Sequence, residues 1–151
     1  EKISLALESS KVHAKVDSLV FSSNLVDAKF PPWRQVVIED KGQPYAKIGR
    51  DALAFAVNAV SLASTVVHFS FSRDRLEISA EGVDSGEAVD CLDVEYTGPD
   101  MTIGIDSKYI MSALAACDSG HVLIGPGADL PCHWKPANGS SAYGVIMPIR
   151  T

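Results

Sequence analysis

The chain has 151 residues, 46% of them hydrophobic, enough for a sizeable core within a typical single-domain length. Thirteen Lys plus Arg against nineteen Asp plus Glu give a formal net charge of −6, which disfavours tight nonspecific gripping of nucleic acid by a basic face. The longest apolar stretch, Ala52 to Ala63, is broken by Asn58 and Ser61. It falls far short of the roughly 20 residues that span a bilayer, and no export signal follows Glu1-Lys2-Ile3, so a cytoplasmic protein without membrane contact is expected.

Residues 1 to 26 read as three short strands. Ile3, Leu5 and Leu7 alternate with Ser4, Ala6 and Glu8, and Val12, Ala14 and Val16 alternate with Lys11, His13, Lys15 and Asp17. Ser9-Ser10 and Asp17-Ser18 are the expected turns, and Leu19 to Val26 supplies the third strand. The stretch LVDAKFPPWRQVV, residues 25 to 37, then turns a stiff corner, because Pro31 and Pro32 fix φ and supply no backbone donors. Local chemistry leaves two readings of that corner, an interdomain elbow or part of a binding surface. Residues 39 to 43 are polar and turn-rich and read as a linker.

Beyond the linker, Ile48-Gly49-Arg50-Asp51 and Ile103-Gly104-Ile105-Asp106 match in pattern at an offset of 55 residues, and each opens a helical stretch. The first helix is expected over Asp51 to Ser64, with Leu53, Val57 and Val60 on one stripe. The second is expected over Ser107 to Asp118, with Ile110, Leu114 and Cys117 on one face and Asp106 or Ser107 as the cap. A leading strand precedes each helix, at Tyr45 to Ile48 and at Met101 to Ile105. Three strand-like runs follow each. They carry Val67/Phe69/Phe71, Leu76/Ile78/Ala80 and Leu92/Val94/Tyr96 in the first unit. In the second they are His121 to Gly125, Leu130 to Lys135 and Ser141 to Ile149, joined by turns at Gly125-Pro126-Gly127 and Asn138-Gly139. Two β-α-β-β-β units make one α+β domain, and residues 1 to 26 look like the closing strands of a further unit.

Catalytic and metal signatures are not found. Three cysteines (Cys91, Cys117, Cys132) without a CxxC spacing argue against a disulfide framework or a zinc site, and all three are expected as buried thiols. Of the four histidines, only His133 lies beside a cysteine, and adjacent strand residues point to opposite faces. The glycines at 125 and 127 lack the Lys-Ser/Thr ending of a phosphate cradle. Asp84, Glu87, Asp90, Asp93 and Glu95 read as a solvated sheet face, and no G-x-S-x-G elbow occurs. No cofactor, metal or catalytic residue is expected, and the chain reads as a binding or scaffold protein.

LVDAKFPPWRQVV, CLDVEYTGPDMTIGIDSKYIMSALAACDSGHVLI and AYGVIMPIRT, in that order, resemble the bacterial β sliding clamp, the processivity subunit of DNA polymerase III. The family's subunit has three domains, each a pair of β-α-β-β-β units, and two subunits close head to tail around duplex DNA. The resemblance therefore implies a DNA-clamp fold, with residues 1–38 as the closing half of a middle domain, 39–43 as a linker and 44–151 as a third domain. It implies a non-enzymatic part, fragment or short relative of the replication clamp. An enclosing ring needs little attraction for DNA, which accommodates the acidic balance.

The resemblance further implies that DNA polymerase III, the clamp loader and repair polymerases dock short peptides in an apolar pocket between the middle and third domains. Carried over by motif, its positions here are Pro31, Val36, Val145, Met147, Pro148, Ile149 and Arg150. Gln35 stands where the family commonly has a second arginine. Lys47, Arg50 and Lys108, at the helix starts, are candidates for contacts to the DNA backbone or else solvated caps. A stand-alone module that sequesters clamp-binding peptides or caps a host clamp is the alternative function, and a homodimer is compatible with the open strand edges.

Overall fold

The computed structural model describes residues 2–30, 32–35, 37, 44–125 and 131–149. Residues 39–43, expected as a linker, and the turn at Pro126-Gly127 lie outside the described residues. The chain divides into two compact units, Glu1–Arg34 and Gln35–Thr151.

The first unit is a three-stranded antiparallel sheet of β1 (Ser4–Leu7), β2 (Lys11–Val16) and β3 (Leu19–Asn24). Asp17 takes the left-handed conformation (φ 52°) that a two-residue hairpin turn demands, as the Asp17-Ser18 signal predicts. The register sets Leu5, Ala14 and Phe21 side by side, with Leu7 and Val12 next to them. Side chains alternate across a strand, so the apolar residues share one face, while Ala6, His13 and Ser22 share the other. There His13 Nδ1 lies 2.7 Å from Ser22 Oγ. The proline corner passes through exposed Pro32 into a 3₁₀ turn, Trp33–Gln35. Within it the Arg34 guanidinium lies 4.6 Å from the centre of the Trp33 ring.

Among the described residues, the second unit contains β4 (Ala46–Gly49), α1 (Arg50–Val60), β5 (Val66–Ser72), β6 (Arg75–Gly82) and β7 (Gly86–Asp93). The series then repeats as β8 (Met101–Asp106), α2 (Ser107–Ala115), β9 (His121–Gly125), β10 (Cys132–Pro136) and β11 (Gly144–Ile146). The β-α-β-β-β order read from the sequence holds in both halves. The pairing adds an exchange: the sheets run β7-β6-β5-β8 and β11-β10-β9-β4, so each leading strand joins the other half's sheet. Ile48 faces Val122 across one junction and Val67 faces Ile105 across the other.

Two isolated bridges tie each leading strand back to its own half. Lys47 and Glu95 trade backbone hydrogen bonds of 3.0 and 3.1 Å, and the Ile149 N–H donates to the Gly104 carbonyl at 2.8 Å. Both helices turn their apolar stripes inward. Leu53, Val57 and Val60 of α1 and Ile110 and Leu114 of α2 are buried in one core with Phe69, Phe71, Ile78, Tyr96, Val122 and Ile124. The Phe71 and Tyr96 rings meet at 5.5 Å, and the Tyr96 hydroxyl donates to the Pro99 carbonyl, satisfying the polar end of a buried ring.

Several boundaries differ from expectation. Helix α1 stops at Val60 instead of Ser64, because Ser61 turns its hydroxyl back onto the Asn58 carbonyl (3.0 Å) in a closing turn. Helix α2 stops at Ala115, yet Cys117 stays buried because its N–H makes a tighter closing bond to Leu114. Strand β7 begins at Gly86 and carries Glu87, Asp90 and Asp93 of the acidic run, which an edge strand tolerates because half of its backbone and one face meet water. The last strand shrinks to Gly144–Ile146: on one side Ser140 is held by the Asn138 side chain (3.0 Å), and on the other Pro148 has no donor. Cys91 corrects the expectation of three buried thiols. It points outward from β7, is exposed, and its Sγ lies 3.1 Å from Arg75 Nη2.

Candidate functional site

Helix α2 and edge strand β11 border an open groove of about 500 Å³. The helix is anchored by Asp106, whose side chain accepts a hydrogen bond from the Lys108 N–H at 2.9 Å. Of the two caps the sequence allowed, Asp106 is the one used, while Ser107 is buried as the first helical residue. Because α2 buries Ile110 and Leu114, the flank of the same helix presents Tyr109, Ser112 and Ala113 to the groove. The Ser112 hydroxyl is spent on the Lys108 carbonyl (2.8 Å), so that wall is less polar than its composition suggests.

The opposite wall is Gly144, Val145, Ile146 and Met147, with Trp134 beneath. The ladder sets Trp134 against Gly144, His133 against Val145 and Cys132 against Ile146. The indole of Trp134 crosses the space a side chain at 144 would need: a Cβ there would sit 1.8 Å from Nε1. Glycine at 144 is therefore what lets the aromatic ring form the floor. The groove thus combines an apolar lining with the backbone of β11, the edge strand of its sheet among the described residues, a combination suited to an extended apolar peptide.

Of the residues carried over by motif, Val145 and Met147 line this groove. Pro148 and Ile149 continue past the lining, and Ile149 is tied to Gly104. Pro31, Val36 and Arg150 lie outside the described residues. Sequence reasoning missed Tyr109, Ser112, Ala113, Trp134, Gly144 and Ile146. The available signal was the spacing of Tyr109 and Ser112 beside the buried stripe of α2, and a tryptophan two residues beyond Cys132 in a strand.

The three basic candidates differ in how their charge is used. Lys47 Nζ lies 2.7 Å from Glu95 Oε1, and that hydrogen bond, followed by the ammonium charge, holds the Glu95 carboxyl below its ordinary range. Arg50 contacts Asp51 at 2.7 Å and donates to the Cys117 carbonyl at 3.2 Å, tying the start of α1 to the loop after α2. Lys108 has no ion pair with another described residue.

Behind the groove, His133 is buried with its Nδ1 hydrogen-bonded to the Tyr143 hydroxyl. Burial lowers the His133 pKa and pushes the Cys132 thiol up to about 12, so that thiol is a packing group and no nucleophile. Among the described residues no cluster of His, Cys, Asp or Glu could hold a metal ion.

Exchanged leading strands, two core-facing helices and a solvent-open apolar groove define a clamp-type α+β domain. Solved sliding clamps share this fold: the DNA polymerase sliding clamp of Pseudomonas aeruginosa, solved with a ligand and 23% identical, superposes with a TM-score of 0.86 over 99% of this chain and 42% of its own. The sliding clamp of Bartonella birtlesii, solved bound to griselimycin, is 27% identical with a TM-score of 0.86, covering 99% of this chain and 41% of its own. Escherichia coli K12 beta sliding clamp is 30% identical over 148 residues, 94% of this chain and 40% of that protein. Residues 35–150 match the family of the DNA polymerase III beta subunit, C-terminal domain, and the chain belongs to that family. It spans about 40% of the length of the curated relatives it matches.

Proposed function

We propose that this chain is the partner-docking part of a sliding-clamp processivity factor in bacterial DNA replication. It catalyses nothing; it tethers DNA polymerase III and other proteins to DNA by binding short apolar peptides in the groove between α2 and β11. The observation that carries the reading is the groove itself, built from Tyr109, Trp134, Val145 and Met147 in a chain of the beta-subunit family. Nothing in its lining performs chemistry, and every feature suits burial of an apolar side chain.

Pro148 and Ile149, which continue the chain past the lining, extend the docking surface, and the clamp loader and repair polymerases use it in turn. In the whole ring the helix starts face duplex DNA without reading its sequence. Lys108 carries that contact among the described candidates, because Lys47 and Arg50 are already paired with carboxylates. Griselimycin, which the Bartonella birtlesii relative binds, is expected to compete for this groove.

The test is a fluorescence-anisotropy titration of a labelled clamp-binding peptide of the polymerase against this chain and its Tyr109→Ala variant, with griselimycin as competitor. Saturable binding that weakens about ten-fold in the variant supports the reading, since removing one buried aromatic contact costs that order of affinity. Equal binding by both proteins refutes it.

A further inference from the structure

Met147 occupies a position the other two methionines do not share. Met101 and Met111 are packed against the core, whereas Met147 is 63% exposed at the open wall of the groove. Its backbone is fixed from both sides. Ile146 is held in the β10 ladder opposite Cys132, and the Ile149 N–H is bonded to Gly104. The backbone thereby holds Met147 at the open wall, with its thioether exposed to solvent in a lining that includes Tyr109 and Trp134.

We infer that Met147 is a reversible oxidation site through which peroxide weakens partner docking, an inference that rests on the groove's role as a peptide site. Hydrogen peroxide delivers one oxygen atom to the Met147 sulfur: the O–O bond breaks, an S=O bond forms, the sulfide is oxidised to a sulfoxide, and the second oxygen leaves as water. The sulfoxide is polar and chiral where the thioether was apolar and adaptable. Docking must then strip water from a strong acceptor set in a largely apolar lining, where the Ser112 hydroxyl already donates to the Lys108 carbonyl. Methionine sulfoxide reductase restores the thioether by taking two electrons from a dithiol, which becomes a disulfide, and releasing the sulfoxide oxygen as water, so the change is a switch and not only damage.

The test uses the full chain in a Cys91→Ser background, because Cys91 is the exposed thiol that would also consume peroxide. Protein is treated with graded hydrogen peroxide, sulfoxide is mapped residue by residue by mass spectrometry, and peptide affinity is read by anisotropy before and after reductase. The expected result is oxidation of Met147 ahead of Met101 and Met111, about ten-fold weaker binding, and recovery with reductase. In a Met147→Leu variant the affinity, whatever its starting value, should not respond to peroxide. Simultaneous oxidation of all three methionines, or unchanged affinity once Met147 is oxidised, overturns the inference. Absence of binding in the untreated arm overturns the docking role and this inference together, and that arm tells the two failures apart.

Discussion

Trp134 and Gly144 are direct partners across the β10–β11 ladder, and the indole fills the volume that a side chain at 144 would take. The floor of the groove and its edge strand therefore depend on the absence of a single carbon. Gly144→Ala forces the ring or the strand to move. The expected cost is about 1–3 kcal/mol, typical of overpacking a well-filled site. Urea denaturation measures the loss, and peptide affinity should fall with it.

Helix α2 carries one wall, and its first turn is fixed by the Asp106 carboxylate on the Lys108 N–H. Asp106→Ala removes that cap. A loss of about 1 kcal/mol is expected, the usual value of a side-chain N-cap. Because Tyr109 and Ser112 lie within the same two turns, peptide affinity should drop even though no lining residue has changed. Asp106→Ser, which restores a capping oxygen, should recover both.

Burial lowers the His133 pKa below its ordinary value of 6.5. The unfolded chain therefore binds the proton more readily than the folded one. Stability from this group is full at neutral pH and is lost as pH falls below about 6.5 toward the folded value. Thermal unfolding at pH 7.5 and 5.5 should show the decline in the wild type. His133→Leu should flatten the profile over that window, while an unchanged slope would assign it to other groups.

Lys108 is the uncommitted cation of the three basic candidates. Lys108→Ala should reduce the salt dependence of duplex binding by about one counterion, a change of roughly 0.9 in the slope of log affinity against log salt. Lys47→Ala should change that slope little, because Glu95 already neutralises the ammonium. Filter binding at stepped salt separates the two variants, and an equal effect of both would remove the distinction.

The order of elements was legible because period and punctuation are local. Leu53, Val57 and Val60 repeat at helical spacing, and Val67, Phe69 and Phe71 alternate before a turn in which Asp74 takes positive φ. The exchange of β4 and β8 between sheets was not legible. Whether Ile48 pairs with Val122 or with a nearer strand is decided by packing across more than seventy residues, which no short window contains. At the groove, Val145 and Met147 came from the closing motif. Tyr109 and Ser112 did not, since a helix flank beside a buried stripe reads as solvated surface until the facing strand is in place. Trp134 read as another strand residue, and only its partner Gly144 shows why the ring lies where it does. Cys91 was misjudged because cysteine is usually buried, and the edge position of β7 overrides that tendency.

The most direct test of peptide docking is a two-dimensional ¹H–¹⁵N spectrum of the labelled chain titrated with an unlabelled clamp-binding peptide. The Trp134 indole N–H gives its own signal. If the groove is the docking site, that signal and the amides of Tyr109, Ser112, Val145 and Met147 should shift together and saturate at one affinity. Shifts confined to other surfaces, such as the acidic edge strand β7, with the Trp134 signal unmoved, would contradict it.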